Sequence, residues 1–177
     1  MRSTSEALQA FEETVERYLL ELDNLDMEQL LKKPNDEEWS IGQVYMHLIQ
    51  SALYLHLHNV DQCLGGSDAT VGVMEKKTER GIKAFELGSF PPDRIRVPAS
   101  PQYTPKQPEN KEQLAQRLHD VVEQMRRTES VLSQEPKSEK MVHPGLGALD
   151  AKEWFLLIEM HYRHHILQLE RLKLLWN

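Results

Sequence analysis

Two histidines near the end of the sequence, His161 and His165, lie four residues apart. On a helix, that spacing places both side chains on one face about 5–6 Å apart, so both imidazoles can bind one metal ion. Trp154 and Ile158 continue the same face, which predicts that the histidines point inward. Burying an imidazole there without a hydrogen-bond partner would cost roughly 1–3 kcal/mol of folding free energy, which binding of a metal ion would offset. The alternative is a pair of core histidines hydrogen-bonded to carbonyls or to Gln168.

A third metal ligand has to come from another segment. His47 is the best candidate, because it borders an apolar stripe in an earlier predicted helix. His58 is the rival on the same side, but it lies about 16 Å further along the helix axis, so both cannot reach one ion. His56 is predicted to point away from that side. His119 lies among charged residues and is predicted at the surface, whereas the role of His143 stays open.

Two further residues of the last helix are candidates for supporting the ligands. Gln168 is one turn beyond His165 on the same face, so its amide is predicted to orient a ligand. His164 lies about 60° around the helix from His161. We expect His164 either to support the metal ligands from behind or to lie at an interface. The alternative is that its side chain is simply solvated.

Other catalytic chemistry has little support in the sequence. No nucleophile elbow or phosphate-binding loop is present, and Cys63 lacks an evident base partner, so we interpret this cysteine as structural. Glu153 and Glu159 are possible general bases on the last helix. Glu153 is better explained by helix capping, and Glu159 is predicted to turn away from the histidines.

Four segments have apolar residues at spacings of three and four, the pattern of a helix with one buried face. These stripes run from Leu8 to Leu25, from Ile41 to Leu55, from Leu114 to Leu132 and from Trp154 to Leu172. Three helix starts are marked by pairs that can form capping boxes: Ser40 with Gln43, Asn110 with Gln113, and Asp150 with Glu153. Gly65 and Gly66 are predicted to end the second helix.

These segments predict an all-α four-helix bundle, formed as a single domain over residues 1–177. The stretch 71–108 is rich in proline and is expected to be a long crossover between helices two and three. Within it, residues 73–87 could form an extra short helix. No strand is predicted, because few runs alternate and the β-branched residues are scattered.

Composition narrows the class of protein. The net charge of −7 and the interleaved charges argue against a nucleic-acid partner. No signal peptide and no membrane-spanning stretch is visible, and the single cysteine fits a reducing compartment, so we expect a cytoplasmic protein.

At two blocks the sequence resembles the DinB superfamily, in particular its DinB-like and YfiT-like branch. The first block runs from Trp39 through His47 to Leu48, and it is similar to the family's Trp-Ser pair followed by a metal-binding histidine. The second block comprises residues 143–149, Glu153-Trp154 and residues 161–168, and it looks like the family's closing helix. The resemblance implies that His47, His161 and His165 are the metal ligands. Residues 71–108 carry no motif of this resemblance and are expected to shape the substrate pocket.

The resemblance also implies a function. Family members include metal-dependent hydrolases and thiol transferases, so we expect a divalent transition metal that activates a water or a low-molecular-weight thiol against a small-molecule substrate. Imidazole ligands suit several metals, of which zinc or nickel is expected here. The resemblance further implies a homodimer. The alternative is a non-catalytic bundle in which a metal only joins helices or is absent.

Overall fold

The structure is a computed structural model that describes residues 2–65, 76–91 and 104–175. Its helices are α1 Thr4–Asp23, α2 Met27–Leu31, α3 Ile41–Gln50, α4 His58–Gly65, α5 Glu79–Leu87, α6 Lys111–Leu132 and α7 Ala151–Leu174. A π-helical segment, Ser51–Leu57, joins α3 to α4. Two short strands, β1 Lys140–His143 and β2 Gly147–Asp150, precede α7.

The predicted helical bundle is confirmed. The long helix α1 packs against α6 and α7, while α3 and α4 also pack against α7. Tyr18, Tyr45 and Tyr162 are fully buried between these helices. The hydroxyls of Tyr45 and Tyr18 have partners inside the core, because Tyr45 donates to the Tyr18 carbonyl at 2.7 Å and Tyr18 donates to the Tyr162 carbonyl at 2.8 Å. These bonds tie α3, α1 and α7 together at the level of the histidines.

The helix starts agree with the sequence. Ser40 with Gln43 and Asp150 with Glu153 form complete capping boxes at α3 and α7. Asn110 caps α6 by accepting the backbone N–H of Gln113. Since α3 and α7 carry the candidate ligands, their capping boxes fix where each histidine falls relative to the start of its helix.

The π-helical segment was not predicted, and it changes which side chains face the core. In an unbroken α-helix, nine residues turn through about 900°, which would place His56 opposite His47. Hydrogen bonds from i to i+5 widen the turn and accommodate about one extra residue. The side chains that follow are therefore rotated back around the helix axis by roughly 100° relative to a regular α-helix. The prediction that His56 points away is therefore wrong: its side chain is only 4% exposed. His58 is rotated outward and is exposed, so it does not share a side with His47.

A small β-hairpin is a second departure from the sequence prediction. Strands β1 and β2 pair antiparallel, with Met141 opposite Leu149. The Thr78 N–H donates to the Leu146 carbonyl at 2.9 Å, and this contact joins the hairpin to the start of α5. Strands of four residues carry too little alternation to be recognised in the sequence. They are stable here because they pack against α4 and α7, while the turn between them contacts the start of α5.

The crossover between the second and third bundle helices contains α5, which confirms the extra short helix from Glu79 to Leu87, whereas the described residues 76–78 of the prediction are not helical. This helix begins after the N-cap Thr78 and ends at Gly88, whose φ of 62° is left-handed. The predicted residues 73–75, and the proline-rich part from residue 92 to 103, lie outside the described residues. No helix in the described part of the chain combines the length and the apolar character needed to cross a bilayer.

Candidate metal centre

Three histidines from two helices converge between α3 and α7. His47 projects from α3, and His161 and His165 project from consecutive turns of α7. The Nε2 atom of His161 lies 3.0 Å from Nε2 of His47 and 3.1 Å from Nε2 of His165. The structure therefore brings together the three residues that the sequence selected, and it presents the same ring nitrogen of each toward one point.

The spacing of these nitrogens fits one metal ion. Two nitrogens bound to the same ion at about 2.0–2.1 Å with tetrahedral angles lie roughly 3.3 Å apart. Within the described residues these are the histidines whose ligand atoms all lie within 4.8 Å of one another. A neutral imidazole has one donor and one acceptor nitrogen, so three mutually facing Nε2 atoms cannot all be satisfied by one another. A cation would satisfy all three lone pairs.

Gln168 sets the proton position on His165. Its Oε1 lies 2.8 Å from Nδ1 of His165. An amide oxygen only accepts, so Nδ1 of His165 donates and its Nε2 keeps a lone pair facing the other histidines. Gln168 thus occupies the supporting position that its place in the sequence suggested. His164 is half-buried, and its ring contacts those of His165 and Phe90.

Burial keeps the cluster neutral. Loss of hydration lowers the pKa of His47 to about 3, with a smaller effect from the nearby His165. Burial likewise lowers the pKa of His165 to about 4 and that of His161 well below its ordinary value. Near pH 7 all three imidazoles are therefore unprotonated, which is the form that binds metal.

Comparison with known proteins gives the family. The sequence profile of the DinB superfamily matches residues 10–169, which include most of α1, all three histidines and most of α7. The chain belongs to the DinB superfamily. No curated protein matches it.

The other histidines of this DinB-superfamily chain have different surroundings. His58 and His119 are exposed. His143 is in the hairpin, where its Nδ1 accepts the backbone N–H groups of Gly145 and Leu146 at 3.0 and 3.2 Å. These two hydrogen bonds fix the turn between β1 and β2. The ring of His143 also packs on Trp154, with ring centroids 5.3 Å apart.

His56 is the residue at this site that sequence reasoning missed. Its ring lies 5.3 Å from that of His161 and 6.0 Å from that of Trp154. Burial, followed by the effects of His143 and His47, lowers its pKa to about 3. No signal in the sequence distinguished it, because its direction depends on the π-helical segment.

The two carboxylates of α7 that were weighed as general bases have structural partners. Glu153 caps α7 and forms an ion pair with Lys77. Glu159 is buried and accepts two hydrogen bonds from Arg163, whose guanidinium also donates to the Gly88 carbonyl. Both carboxylates are therefore engaged in holding α5 and α7 in place.

Gln168→Leu is expected to weaken metal binding by about 10-fold or more, because loss of a partner that orients a ligand typically costs 10–100-fold in affinity. Without the amide oxygen, His165 can rotate and can move its proton to Nε2. Competition with a chromophoric chelator measures the affinity. Gln116→Leu on the exposed face of α6 is the matched control. Equal affinities for the two variants would show that Gln168 does not orient His165.

Cys63 is expected to react slowly with disulfide reagents in the native protein. It is 1% exposed, its thiol donates to the Leu149 carbonyl, and burial raises its pKa from 9.0 to about 11. Two pKa units reduce the thiolate fraction roughly 100-fold at about pH 8, and burial slows the reaction further. Labelling rates of native and urea-unfolded protein give the comparison. Native labelling as fast as unfolded labelling would contradict the structural role of this cysteine.

Proposed function

We propose that this protein is a divalent-metal-dependent enzyme that activates a water or a low-molecular-weight thiol as a nucleophile toward a small-molecule substrate. One observation carries the proposal: three neutral imidazoles from α3 and α7 direct their Nε2 atoms to one point. Three histidine ligands are typical of catalytic sites, whereas structural sites usually have four protein ligands.

The donor set determines the chemistry. A divalent ion held by neutral ligands keeps its charge, so when bound it would lower the pKa of a coordinated water or thiol to near neutrality or below. Zinc and nickel both accept imidazole ligands, and either fits this set. His47, His161 and His165 would hold the ion.

The surrounding residues hold the three histidines in place. Gln168 fixes the orientation and proton position of His165. The indole of Trp39 packs on the ring of His47, with centroids 4.9 Å apart, and limits its rotation. Because the histidines are largely buried, charges at this point interact more strongly than in water. These contacts keep the ligand nitrogens converged before a metal or a substrate binds.

Metal content and activity test the proposal in sequence. Protein purified without a His-tag is analysed for bound metals, and the metal-loaded protein is then assayed with electrophiles in the presence and absence of low-molecular-weight thiols. Conjugation that requires thiol would indicate a transferase, and ester or amide cleavage without thiol would indicate a hydrolase. Wild-type protein that binds no divalent metal would overturn the proposal.

The non-catalytic alternative is separated by the same assays. A tightly bound metal with no turnover of any electrophile would indicate that the ion only joins α3 to α7. The His58→Ala variant is the control for nonspecific metal binding, since this histidine is exposed and lies outside the cluster. The homodimer implied by the family stays a prediction.

A further inference from the structure

The Nδ1 atom of His161 needs a partner. It is buried, and it has no hydrogen-bond partner among the described residues. When Nε2 of a neutral imidazole binds metal, Nδ1 carries the proton and becomes a donor. Metal-binding histidines almost always donate that second N–H to a nearby acceptor. His165 has Gln168 as its acceptor. For His161, the acceptor has to lie near Nδ1, on the edge of the ring opposite to Nε2.

His56 lies on that side. Its ring is 5.3 Å from the ring of His161 and nearly perpendicular to it, at 87°. The His56 side chain is 4% exposed, and its Nδ1 is likewise buried without a hydrogen-bond partner in the described chain. The indole Nε1 of the neighbouring Trp154 is in the same condition. Three unsatisfied nitrogens therefore belong to three adjacent rings.

The donor and acceptor roles of these nitrogens are complementary. Indole Nε1 is always a donor, and Nδ1 of a metal-binding His161 is a donor as well. A neutral His56 with its proton on Nε2 offers Nδ1 as an acceptor. Two donors beside one acceptor are a set that one buried water can also bridge, since buried waters typically make about three hydrogen bonds.

We propose that His56 is a positioning residue for His161, whose Nδ1–H it accepts either directly after a small ring rotation or through one buried water shared with Trp154. This inference rests on the proposed metal-binding function. Accepting that proton fixes the tautomer that presents Nε2 to the metal, and it makes His161 a stronger ligand. His56 thereby supports His161 as Gln168 supports His165.

The π-helical segment gives this contact its structural basis. It turns His56 toward α7, whereas a regular helix would direct the side chain away from His47 and His161. Single π-helical turns interrupt the regular hydrogen bonding of a helix and are frequently found at functional sites. Here the interruption brings a further imidazole against the cluster.

Two substitutions separate hydrogen bonding from packing. His56→Phe fills a similar volume without an acceptor, and His56→Gln restores an acceptor oxygen. Zinc affinity from chelator competition and the visible spectrum of the cobalt-substituted protein are the readouts. His56→Phe is expected to weaken zinc binding 10–100-fold and to shift the cobalt spectrum, while His56→Gln retains most of the affinity. His58→Phe, two residues along on the exposed side, is the matched control and is expected to match wild type.

The outcomes distinguish this inference from the proposed function. Wild-type affinity and an unchanged cobalt spectrum in His56→Phe, or equal losses in His56→Phe and His56→Gln, would overturn the positioning role while leaving the metal site intact. If His56→Phe does not fold, nitrogen NMR of zinc-loaded wild type decides: His56 is expected to carry its proton on Nε2, and a proton on Nδ1 would overturn the role. Absence of zinc binding by wild type would overturn both proposals.

Discussion

Replacement of His161 by alanine is expected to abolish specific metal binding, with an affinity loss greater than about 100-fold, since loss of a supporting residue alone costs 10–100-fold. His161 is central to the cluster, because its Nε2 lies within 3.1 Å of Nε2 in both other histidines. The two remaining imidazoles come from different helices and would keep only a two-coordinate site. Chelator competition measures the affinity directly.

Thermal unfolding provides an independent measurement of the same loss. A metal whose free concentration is 100 times its dissociation constant stabilises a folded protein by about 2.7 kcal/mol if the metal does not bind the unfolded chain. Wild type is therefore expected to gain stability on addition of zinc or nickel, and His161→Ala is expected to gain none. His119→Ala, on the exposed face of α6, should respond as wild type does. A full metal-induced stabilisation of His161→Ala would contradict the assignment of this ligand.

Replacement of Gly81 by alanine is expected to destabilise the protein by about 1–3 kcal/mol, the usual effect of overpacking. A Cβ at Gly81 would lie 2.2 Å from the Leu146 carbonyl oxygen. Backbone cannot move away as a flexible side chain would, so α5 and the hairpin would have to separate. The Thr78 N–H that donates to the same carbonyl would be displaced as well. Urea unfolding measures the change in free energy.

Gly65→Ala is the matched control for that substitution. Both glycines are helical, but nothing lies within 4 Å of a Cβ at Gly65. Alanine has the higher helix propensity, by about 1 kcal/mol in a helix interior, so Gly65→Ala is expected to be neutral or slightly stabilising. Equal unfolding free energies for the two variants would show that the close contact between α5 and the turn of the hairpin does not form.

The sequence determined the four long helical segments of this protein and three of their starts, whereas the short helix α2 was not predicted. Apolar spacing is a local property, and each stripe is long enough to identify the helix and its buried face. The capping residues Ser40, Asn110 and Asp150 act within three residues of the chain, so their roles are visible before any folding is considered. His161 and His165 share one helix face for the same reason. His47 was selected by its position beside the second stripe and by the family block from Trp39 to Leu48.

The tertiary structure decided which helix faces and side chains of distant segments point toward one another. The π-helical segment Ser51–Leu57 shifts the rotation of the chain beyond it, which buries His56 and exposes His58. Such a turn has no characteristic amino-acid pattern, because it is stabilised by packing on both sides rather than by the helix propensity of its residues. The hairpin is similar, since its strands of four residues are stabilised by contacts with α4 and α7. Spacing along one helix therefore identified His161 and His165, whereas packing between helices decided which other side chains contact them.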